Sequence, residues 1–552
     1  MIVRFPARRP VEESGGSQQC GACGHTLPAD AGYCRRCGTA VNVKAMQLAP
    51  TAQLTPWERL PRPARHKLIP LALRRSVRRH LPVLDDSRSA RVTVTRAQTT
   101  ALRIGIGAVL LAVVVNAVAI GIGLIAIASV LYLGALIYRI RIFAQALNAP
   151  DVLSVTDAQA RALWDWSLPI YTVLVPAYRE PEVIVDLLRE IDRIEYPHSR
   201  LDVKLLLEED DEETIRAAAA AVTGPHVEIV RVPYSEPRTK PKALNVGLAM
   251  ARGRARTGMV TVYDAEDRPD PLQLRRAVAA FRRLPRDIAC LQAKLAYHNP
   301  DQNIITRWFT VEYSMWFSQL LPGLVHQSAP LPLGGTSNHF RRSALEQVGG
   351  WDSFNVTEDA DLGIRLHRAG FRTRVLDSTT LEEANSDFVN WIKQRSRWYK
   401  GYMQTWLVHM RHPVQLRREI GTWGFIGFNL FVGGTPLLAL LNPVFWALTA
   451  LWFIARPEII ISLFPSWLYY LSLLCLVFGN FAVVYTSMVA ARATGVPKLV
   501  IASLFTPGYW MMMSIAAIKA LVQLIHAPSF WEKTFHGLDR PLSAEDSERA
   551  AA

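Results

Sequence analysis

Residues 259–267 read MVTVYDAED and combine a short apolar run with a cluster of acidic side chains. The run is typical of a strand that is buried on both faces of a parallel sheet. Asp270 follows, so four carboxylates fall within seven residues just after the predicted strand. Ligands of open α/β sheets bind beyond the carboxyl ends of the strands. The stretch therefore predicts an α/β fold with a polar site at that edge of the sheet.

Similar aliphatic runs occur on both sides of this stretch and alternate with helical patterns. Residues 181–194 begin with a proline and carry apolar side chains at helical spacing, as an amphipathic helix does. Strands that alternate with helices indicate a parallel sheet covered by helices on both faces. The predicted strands are residues 171–175, 203–207, 227–232, 259–263 and 289–294.

A largely apolar block precedes the predicted sheet. Between Arg103 and Arg139, 35 consecutive residues carry no charge, whereas one bilayer crossing takes roughly 20 apolar residues. Basic residues at both ends favour the cytoplasmic side for both. We therefore predict a transmembrane hairpin over residues 103–141 that turns between Asn116 and Gly123. The alternative is one long, tilted helix, which places the two ends on opposite sides of the membrane.

A second apolar block, residues 421–526, follows the predicted sheet and has room for three or four crossings, five or six in total with the hairpin. Half of the 552 residues are hydrophobic, which favours a membrane protein. We predict that the domain between the blocks, residues 168–384, faces the cytoplasm. Residues 385–420 are predicted to form interface helices, and residues 527–552 a short cytoplasmic tail.

The net charge of +15 comes partly from a basic linker, residues 41–102, ahead of the first apolar block. Juxtamembrane clusters of Lys and Arg are attracted to anionic lipids, and residues 71–81 are compatible with an amphipathic surface helix. Nucleic acid is the competing partner for a basic chain, but no recognition module accompanies the charge. We therefore expect membrane lipids and no nucleic acid as partners.

Four cysteines near the N-terminus have the spacing of a zinc site. Cys20 and Cys23 form one C-x2-C pair, and Cys34 and Cys37 form the second. Four thiolates at this spacing suit tetrahedral Zn²⁺, so we predict a zinc ribbon over residues 20–40, preceded by disordered residues 1–19. Two disulfides are the alternative, which a cytosolic location disfavours. Such ribbons dock to proteins, lipids or nucleic acids, and a protein partner is possible here.

The acidic cluster after residue 263 suits a divalent cation. Asp264 and Glu266 can bind Mg²⁺ or Mn²⁺, which takes one or two protein carboxylates and completes its shell with phosphates and water. A solvated acidic turn is the alternative. A second acidic turn begins with Glu208 and Glu209, one of which can accept hydrogen bonds from a uracil ring or a ribose. For that turn an ordinary surface charge run is the alternative.

Six motifs follow one another along the chain: VPAY at 175–178, the acidic turn at 208–211, KPKALN at 240–245, DAED at 264–267, TED at 357–359 and QRSRW at 394–398. Their order resembles the inverting family 2 glycosyltransferases, in particular the membrane-embedded branch with cellulose, chitin, hyaluronan and curdlan synthases. Two departures are visible: a D-x-E string replaces the usual D-x-D, and glutamates occupy the nucleoside turn where aspartate is usual. The resemblance implies a GT-A, Rossmann-like domain between transmembrane segments.

The resemblance also implies a role for each motif residue. Asp359 is the expected base that takes the proton of the attacking hydroxyl, although residues 357–359 are also a good helix start. Arg397 and Lys242 are expected at the donor phosphates, where fixed positive charge stabilises the leaving group. Gln394 is assigned to the nucleotide sugar.

The acceptor site is expected around Trp398, whose ring can pack against the flat C–H face of a sugar. Interfacial anchoring is the alternative for this tryptophan. Glu358 and the loop with Gly335 and Thr336 are further acceptor candidates.

We therefore expect a bacterial inner-membrane enzyme that transfers a sugar from a UDP-sugar to a growing polysaccharide. A non-processive transferase with a lipid acceptor is the first alternative. A membrane scaffold whose transferase domain no longer turns over is the second, and it predicts no release of UDP.

Overall fold

The computed structural model describes residues 17–19, 26–28, 84–148, 151–222, 224–252 and 257–534. The chain divides into two compact units, Met1–Lys67 and Leu68–Ala552. In the first unit, strands β1 (Ser17–Gln19) and β2 (Thr26–Pro28) pair antiparallel.

Several predictions fall outside the described residues. They are the four cysteines of the zinc ribbon, the linker up to residue 83 with its surface helix, and the tail beyond residue 534. The zinc ribbon and its protein partner therefore stay predictions.

The second unit contains one nine-stranded sheet in the order β3-β11-β9-β10-β7-β4-β5-β6, with β8 paired to β11. Its strands are β3 (Val152–Leu153), β4 (Tyr171–Ala177), β5 (Leu201–Glu208), β6 (Val227–Val232), β7 (Met259–Val262), β8 (Arg268–Pro269), β9 (Ile288–Tyr297), β10 (Asn338–Arg341) and β11 (Arg372–Glu382).

The expectation of a wholly parallel sheet is wrong, because the sheet is mixed. Strands β4, β5, β6 and β7 are parallel, and so are β9 and β11, but β10 runs antiparallel to both of its neighbours. The chain leaves β9 at its carboxyl end and passes through a helical segment, Ile304–Met315 and beyond. It then enters β10 from that same edge, so β10 must run backwards. The five predicted strands lie where the sequence places them, within a few residues at each end, and β10 was not predicted.

Helices surround the sheet and continue into long apolar segments. In chain order they are α1 (Arg96–Asn148), α2 (Asp157–Arg161), α3 (Pro181–Asp192), α4 (Glu212–Ala221), α5 (Lys240–Ala249), α6 (Gln273–Arg283), α7 (Ile304–Met315), α8 (Leu321–His326), α9 (Arg342–Gln347), α10 (Glu358–Arg368), α11 (Phe388–His409), α12 (Pro413–Phe428), α13 (Gly434–Ile454), α14 (Glu458–Ser462), α15 (Ser466–Leu474), α16 (Asn480–Ala493), α17 (Pro497–Leu504) and α18 (Thr506–His526). Three π-helical turns join α7 to α8, α12 to α13 and α15 to α16.

The sheet is covered on both faces, as the alternation of strands and helices predicts. Val173 and Val175 pack on one face with residues of α3 and α6, whereas Leu174 packs on the other with residues of α5 and α10. Successive side chains of a strand point to opposite faces, and here both faces are apolar. The continuous aliphatic runs of the sequence follow from this double burial.

Among the residues that the structure describes, four helical segments have the length and apolar composition needed to cross a membrane: Arg96–Asn148, Pro413–Ile454, Ser466–Ala493 and Thr506–His526. Large apolar side chains on these segments are exposed, among them Val114, Ile454 and Ile525. Exposed apolar surface of this extent is expected where lipid replaces water as the solvent.

Helix α1 is interrupted at Asn116, whose dihedral angles (φ −155°, ψ 90°) are not helical and whose Oδ1 accepts a hydrogen bond from the amide of Ala119 at 2.9 Å. On one side of this break Gln98 donates to the carbonyl of Leu407, and on the other Arg141 stacks on Trp423. A straight helix would separate residues 98 and 141 by about 65 Å. The two arms of α1 therefore double back at Asn116. That residues 103–141 cross a bilayer as a hairpin stays a prediction.

Candidate functional site

The motif strings DAED, TED and QRSRW lie around one cavity with a volume of about 600 Å³. Asp264 and Glu266 follow β7, Glu358 and Asp359 begin α10, and Arg397 lies on α11. All five line the cavity, together with Gln394 and Trp398 of α11. Residues that lie up to 134 positions apart in the chain, from Asp264 to Trp398, therefore share one space.

Helix α11 lies directly against the start of α10 because Gly401 has no side chain. A Cβ at this position would lie 2.2 Å from Oγ1 of Thr357, which is closer than two such atoms can approach. Glu358 and Asp359 follow Thr357 at once, so the close approach of the helices brings their carboxylates next to Arg397 and Trp398. The glycine after the QRSRW string is thus part of the geometry of the site.

The buried carboxylate of Asp267 stabilises the turn after β7. Oδ2 of Asp267 accepts hydrogen bonds from the amide of Asp264 at 2.8 Å and from the hydroxyl of Thr336. Burial, followed by the charges of Asp264 and Glu266, raises the pKa of Asp267 well above its ordinary value. Thr336 also donates to the carbonyl of Val262 at 3.0 Å. It lines the cavity and ties the acidic turn to the neighbouring loop.

Lys240 forms an ion pair with the acidic turn. Its Nζ lies 2.5 Å from Oδ1 of Asp264 and donates to the carbonyl of Gly335 at 3.0 Å. Burial lowers the pKa of Lys240, but the carboxylates of Asp264 and Glu358 outweigh burial and raise it. The lysine therefore stays charged in the cavity, where a cation compensates the crowded carboxylates.

Lys242, the lysine that the sequence places at the phosphates, does not line the cavity. Its Nζ lies 3.2 Å from Glu208 and donates to the carbonyls of Pro233 and Ser235. The two lysines lie at the first and third positions of α5, and only the first faces the site. The KPK spacing alone does not distinguish them.

The two carboxylates at the start of α10 have raised pKa values. Burial, helped by the charge of Asp359 and opposed by Lys240, raises the pKa of Glu358 to about 8. Burial also raises the pKa of Asp359 to about 6, against the hydrogen bond from the amide of Ala360. Asp359 accepts that bond through Oδ1 at 2.7 Å. Its Oδ2 lies next to Gly335, where an added Cβ would be 3.3 Å away.

Arg397 lies between the acidic groups and the C-terminal segment. Its guanidinium stacks 4.6 Å from the ring centre of Trp531, and Nη1 donates to the carbonyl of Glu532 at 3.3 Å. Burial lowers the pKa of Arg397, while Glu358 and Asp264 act in the opposite direction. A guanidinium remains charged in proteins, so Arg397 supplies fixed positive charge at the cavity.

Residues 527–534 cross the site after the last long helix, an arrangement that sequence reasoning missed. Lys400 donates to the carbonyl of Phe530 at 2.6 Å, and Gln404 donates to that of Pro528 at 3.0 Å. Lys533 reaches the carbonyls of Tyr178 and Arg179, beyond the end of β4. The aromatic pair at 530–531, which follows a long apolar helix, was the available signal, and Trp531 of this pair stacks on Arg397.

The acidic turn after β5 contributes one side chain to the cavity. Glu208 lines it, and burial raises its pKa against the opposing charge of Lys242. Glu209 does not line the cavity, and its Oε1 accepts the amide of Tyr234 at 2.8 Å. Arg238, which stacks on Tyr178, was missed by the sequence and does line the cavity.

Beyond Trp398 the cavity continues between the long apolar helices. Its walls there are aromatic and aliphatic with a few amides and hydroxyls: Tyr132, Trp316, Phe431, Thr435, Asn442, Trp446, Asn480, Ser487, Trp510 and Met513. The same space therefore connects the acidic groups at the sheet edge to the interior of the helical bundle.

Comparisons with known proteins agree with the resemblance at the level of the domain. Residues 169–401 match a family model described as glycosyltransferase like family 2. Among curated relatives, a probable glycosyltransferase, YdaM, of Bacillus subtilis is 26% identical over 259 residues, 46% of this chain and 60% of that protein. A beta-monoglucosyldiacylglycerol synthase of Trichormus variabilis is 27% identical over 283 residues, 50% of this chain and 58% of that protein.

The chain thus spans about three fifths of the length of these curated relatives. Among solved structures, a mannosyltransferase from Pyrobaculum calidifontis in complex with GDP-Man and Mn²⁺ aligns with 19% identity and a TM-score of 0.43. The alignment covers 73% of this chain and 99% of that one.

Proposed function

We propose, from the premise of a glycosyltransferase family 2 domain at residues 169–401, that this protein transfers a sugar from a UDP-sugar to a membrane-associated acceptor with inversion at the anomeric carbon. One observation carries the proposal: Asp264, Asp359 and Arg397 line the same cavity. Sugar transfer from a nucleotide requires a base for the incoming hydroxyl and positive charge for the departing diphosphate, both within reach of one carbon atom.

Asp359 is the proposed base. Its pKa of about 6 leaves it ionised at neutral pH while giving it a higher proton affinity than an ordinary aspartate. As the acceptor oxygen bonds to the anomeric carbon, the hydroxyl proton passes to Asp359. The bond from that carbon to the phosphate oxygen breaks, and its electron pair leaves with UDP. Gly335 leaves room beside Oδ2 of Asp359 for the acceptor.

Lys240 and Arg397 are proposed to hold the diphosphate, because both carry positive charge in the cavity. Mg²⁺ or Mn²⁺ at Asp264 and Glu266 would neutralise the charge that develops on the leaving group. Within the described ranges, no group of three or more His, Cys, Asp or Glu side chains is arranged to hold a metal. The two cavity carboxylates nevertheless fit a cation that takes its remaining ligands from phosphate and water.

A growing polysaccharide is the proposed acceptor. The cavity leads from Asp359 past Trp398 into the bundle, where rings such as those of Trp446 and Trp510 line it. Aromatic rings offer flat faces on which sugar units can stack. We place the catalytic domain on the cytoplasmic side of a bacterial inner membrane, where UDP-sugars are made.

A lipid acceptor is the second candidate, and a specific observation favours it. Two of the curated relatives, from Trichormus variabilis and a Nostoc species, are named beta-monoglucosyldiacylglycerol synthase. The apolar inner part of the cavity can equally receive an acyl chain.

The test is a screen of purified protein with radiolabelled UDP-sugars and Mg²⁺ or Mn²⁺, followed by mass spectrometry of the products. A ladder of oligosaccharides supports the polysaccharide acceptor, and a lipid with one or two added sugars supports the second candidate. Asp359→Asn is the matched inactive control. If no UDP-sugar releases UDP, sugar transfer is wrong and the scaffold hypothesis remains.

A further inference from the structure

Arg395 lies between Gln394 and Arg397 in the sequence, but its side chain binds Glu312 and Tyr509. Its Nη1 donates to Oε1 of Glu312 at 2.8 Å, and Nη2 bonds to the second oxygen of the same carboxylate. Nη2 also donates to the hydroxyl of Tyr509 at 3.0 Å, and that hydroxyl donates to Glu312 at 2.6 Å. A guanidinium held by both oxygens of one carboxylate has its plane fixed.

This cluster joins three separate parts of the molecule. Glu312 belongs to α7, the helix that follows β9, and Tyr509 belongs to α18, one of the segments apolar enough to cross a membrane. Arg395 lies on α11, the helix with the QRSRW string.

The fixed guanidinium plane lies among aromatic rings. Its central carbon is 4.6 Å from the ring centre of Trp398, 5.1 Å from that of Trp391 and 5.3 Å from that of Phe309. Arg395 and Trp398 are three residues apart on one helix, so their side chains are neighbours. The ring of Trp398 is also nearly parallel to that of Tyr313, at 26° and 6.2 Å.

Stability alone does not account for this arrangement. Removing an ion pair from water costs free energy that its Coulomb attraction often fails to recover, so well-packed apolar residues serve as well or better. The Arg395 side chain is only 8% exposed. The bidentate geometry, in contrast, does something that an apolar residue cannot: it sets the orientation of a flat group that stacks on Trp398.

We propose that Arg395 is a positioning residue that, held by Glu312 and Tyr509, orients the Trp398 ring for the acceptor sugar. The inference rests on the proposed function, in which Trp398 forms the acceptor site. It predicts that loss of the guanidinium plane impairs use of the acceptor and spares use of the donor. Asp264 and Lys240 lie on other elements, and Arg397, although on the same helix, contacts Trp531 and the carbonyl of Glu532 instead of this cluster.

The experiment compares wild type with Arg395→Lys, which keeps the charge and loses the planar fork. UDP-glucose is the donor, and water, glucotetraose and dioleoylglycerol are separate acceptors. We expect KM for the productive acceptor to rise about tenfold, the loss of one charged hydrogen bond, while KM for UDP-glucose and its hydrolysis by water stay within about twofold. Tyr509→Phe, which removes a single hydroxyl, is expected to raise the acceptor KM by about threefold.

Arg341→Lys is the matched control. Arg341 stacks 4.6 Å from the ring centre of Phe281 and donates to three backbone carbonyls. In the sheet, Arg341 on β10 lies opposite Met259 at the start of β7. The acidic turn follows the other end of β7, so Arg341 lies away from the site. We expect this variant to keep both KM values.

Parallel losses of hydrolysis and transfer in Arg395→Lys, or an equal rise of both KM values, would overturn the proposal. A cryo-EM structure of the same variant provides a readout without activity: a displaced Trp398 ring supports the proposal, and a ring unmoved within about 0.5 Å contradicts it. If the wild type releases no UDP with any UDP-sugar, the proposed function is wrong, and the position of the ring alone then decides whether Arg395 orients Trp398.

Discussion

Two acidic turns follow parallel strands that lie on either side of β4, and the two turns have different partners. In the turn after β5, residues 208–211, most acidic side chains bind nearby protein groups. Asp210 forms an ion pair with Arg238 at 2.6 Å, and Asp211 caps the N-terminus of α4. The turn after β7, residues 264–267, points two carboxylates into the cavity and keeps a third buried beneath them.

The difference comes from the elements that lie opposite each turn. The β5 turn faces a loop and a helix start that offer backbone amides and a guanidinium. The β7 turn faces the start of α5 with Lys240, and α10 and α11 close over it. Carboxylates satisfied by nearby donors are structural, whereas carboxylates that share a cavity with cations are available to a ligand. Four predictions test this distinction.

Asp359→Asn should give the largest effect. The variant removes the proposed base, and general base catalysis contributes about 10² to 10⁴ in rate, so we expect kcat to fall on the order of a thousandfold. The measurement is UDP release in the presence of acceptor. Asp211→Asn, the same chemical change in the β5 turn, should keep wild-type activity because asparagine also caps a helix. Equal losses in the two variants would contradict the assignment of Asp359 as the base.

Asp264→Asn should have the second largest effect. We expect kcat to fall on the order of a hundredfold, as found when one group that stabilises a developing charge is removed. The substitution also leaves Lys240 without its ion-pair partner. Activity titrated against Mn²⁺ should require a higher metal concentration in this variant. An unchanged Mn²⁺ dependence would contradict the assignment of Asp264 as a metal ligand.

The pH dependence of kcat/KM should report the raised pKa of the buried Asp359. Burial raises the pKa of Asp359 to about 6, and a base works only when deprotonated. We therefore expect kcat/KM to reach its maximum well above pH 6 and to fall about tenfold for each pH unit below pH 6. An exposed aspartate titrates near 3.9, so a profile that stays flat down to pH 4.5 would exclude Asp359 as a buried base.

Asp211→Ala should give the smallest effect, on stability alone. Its carboxylate accepts the amides of Thr214 at 3.3 Å and of Arg179. Loss of an N-cap costs about 1 kcal/mol, which corresponds to a shift of roughly 2–4 °C in Tm for a domain of 150–250 residues. Activity per folded molecule should stay within about twofold, and a larger loss would place the β5 turn in the catalytic machinery.

The sequence was a good guide wherever short-range patterns decide the outcome. The aliphatic runs predicted strands β4 to β7 and β9 to within a few residues, and the acidic strings were expected at their carboxyl ends. It could not decide features that depend on a distant element. The antiparallel direction of β10, the choice of Lys240 over Lys242 and the path of residues 527–534 all depend on neighbours far away in the chain.

The sequence by itself determined which residues can form strands and helices, which segments are apolar enough for a membrane, and which side chains carry acid, base and aromatic chemistry. These properties depend on composition and on spacings of two to four residues. Only the tertiary structure decided which carboxylates share a cavity with Lys240 and Arg397, because that depends on close approaches such as Gly401 against Thr357. Such contacts join residues dozens of positions apart, and no local pattern encodes them.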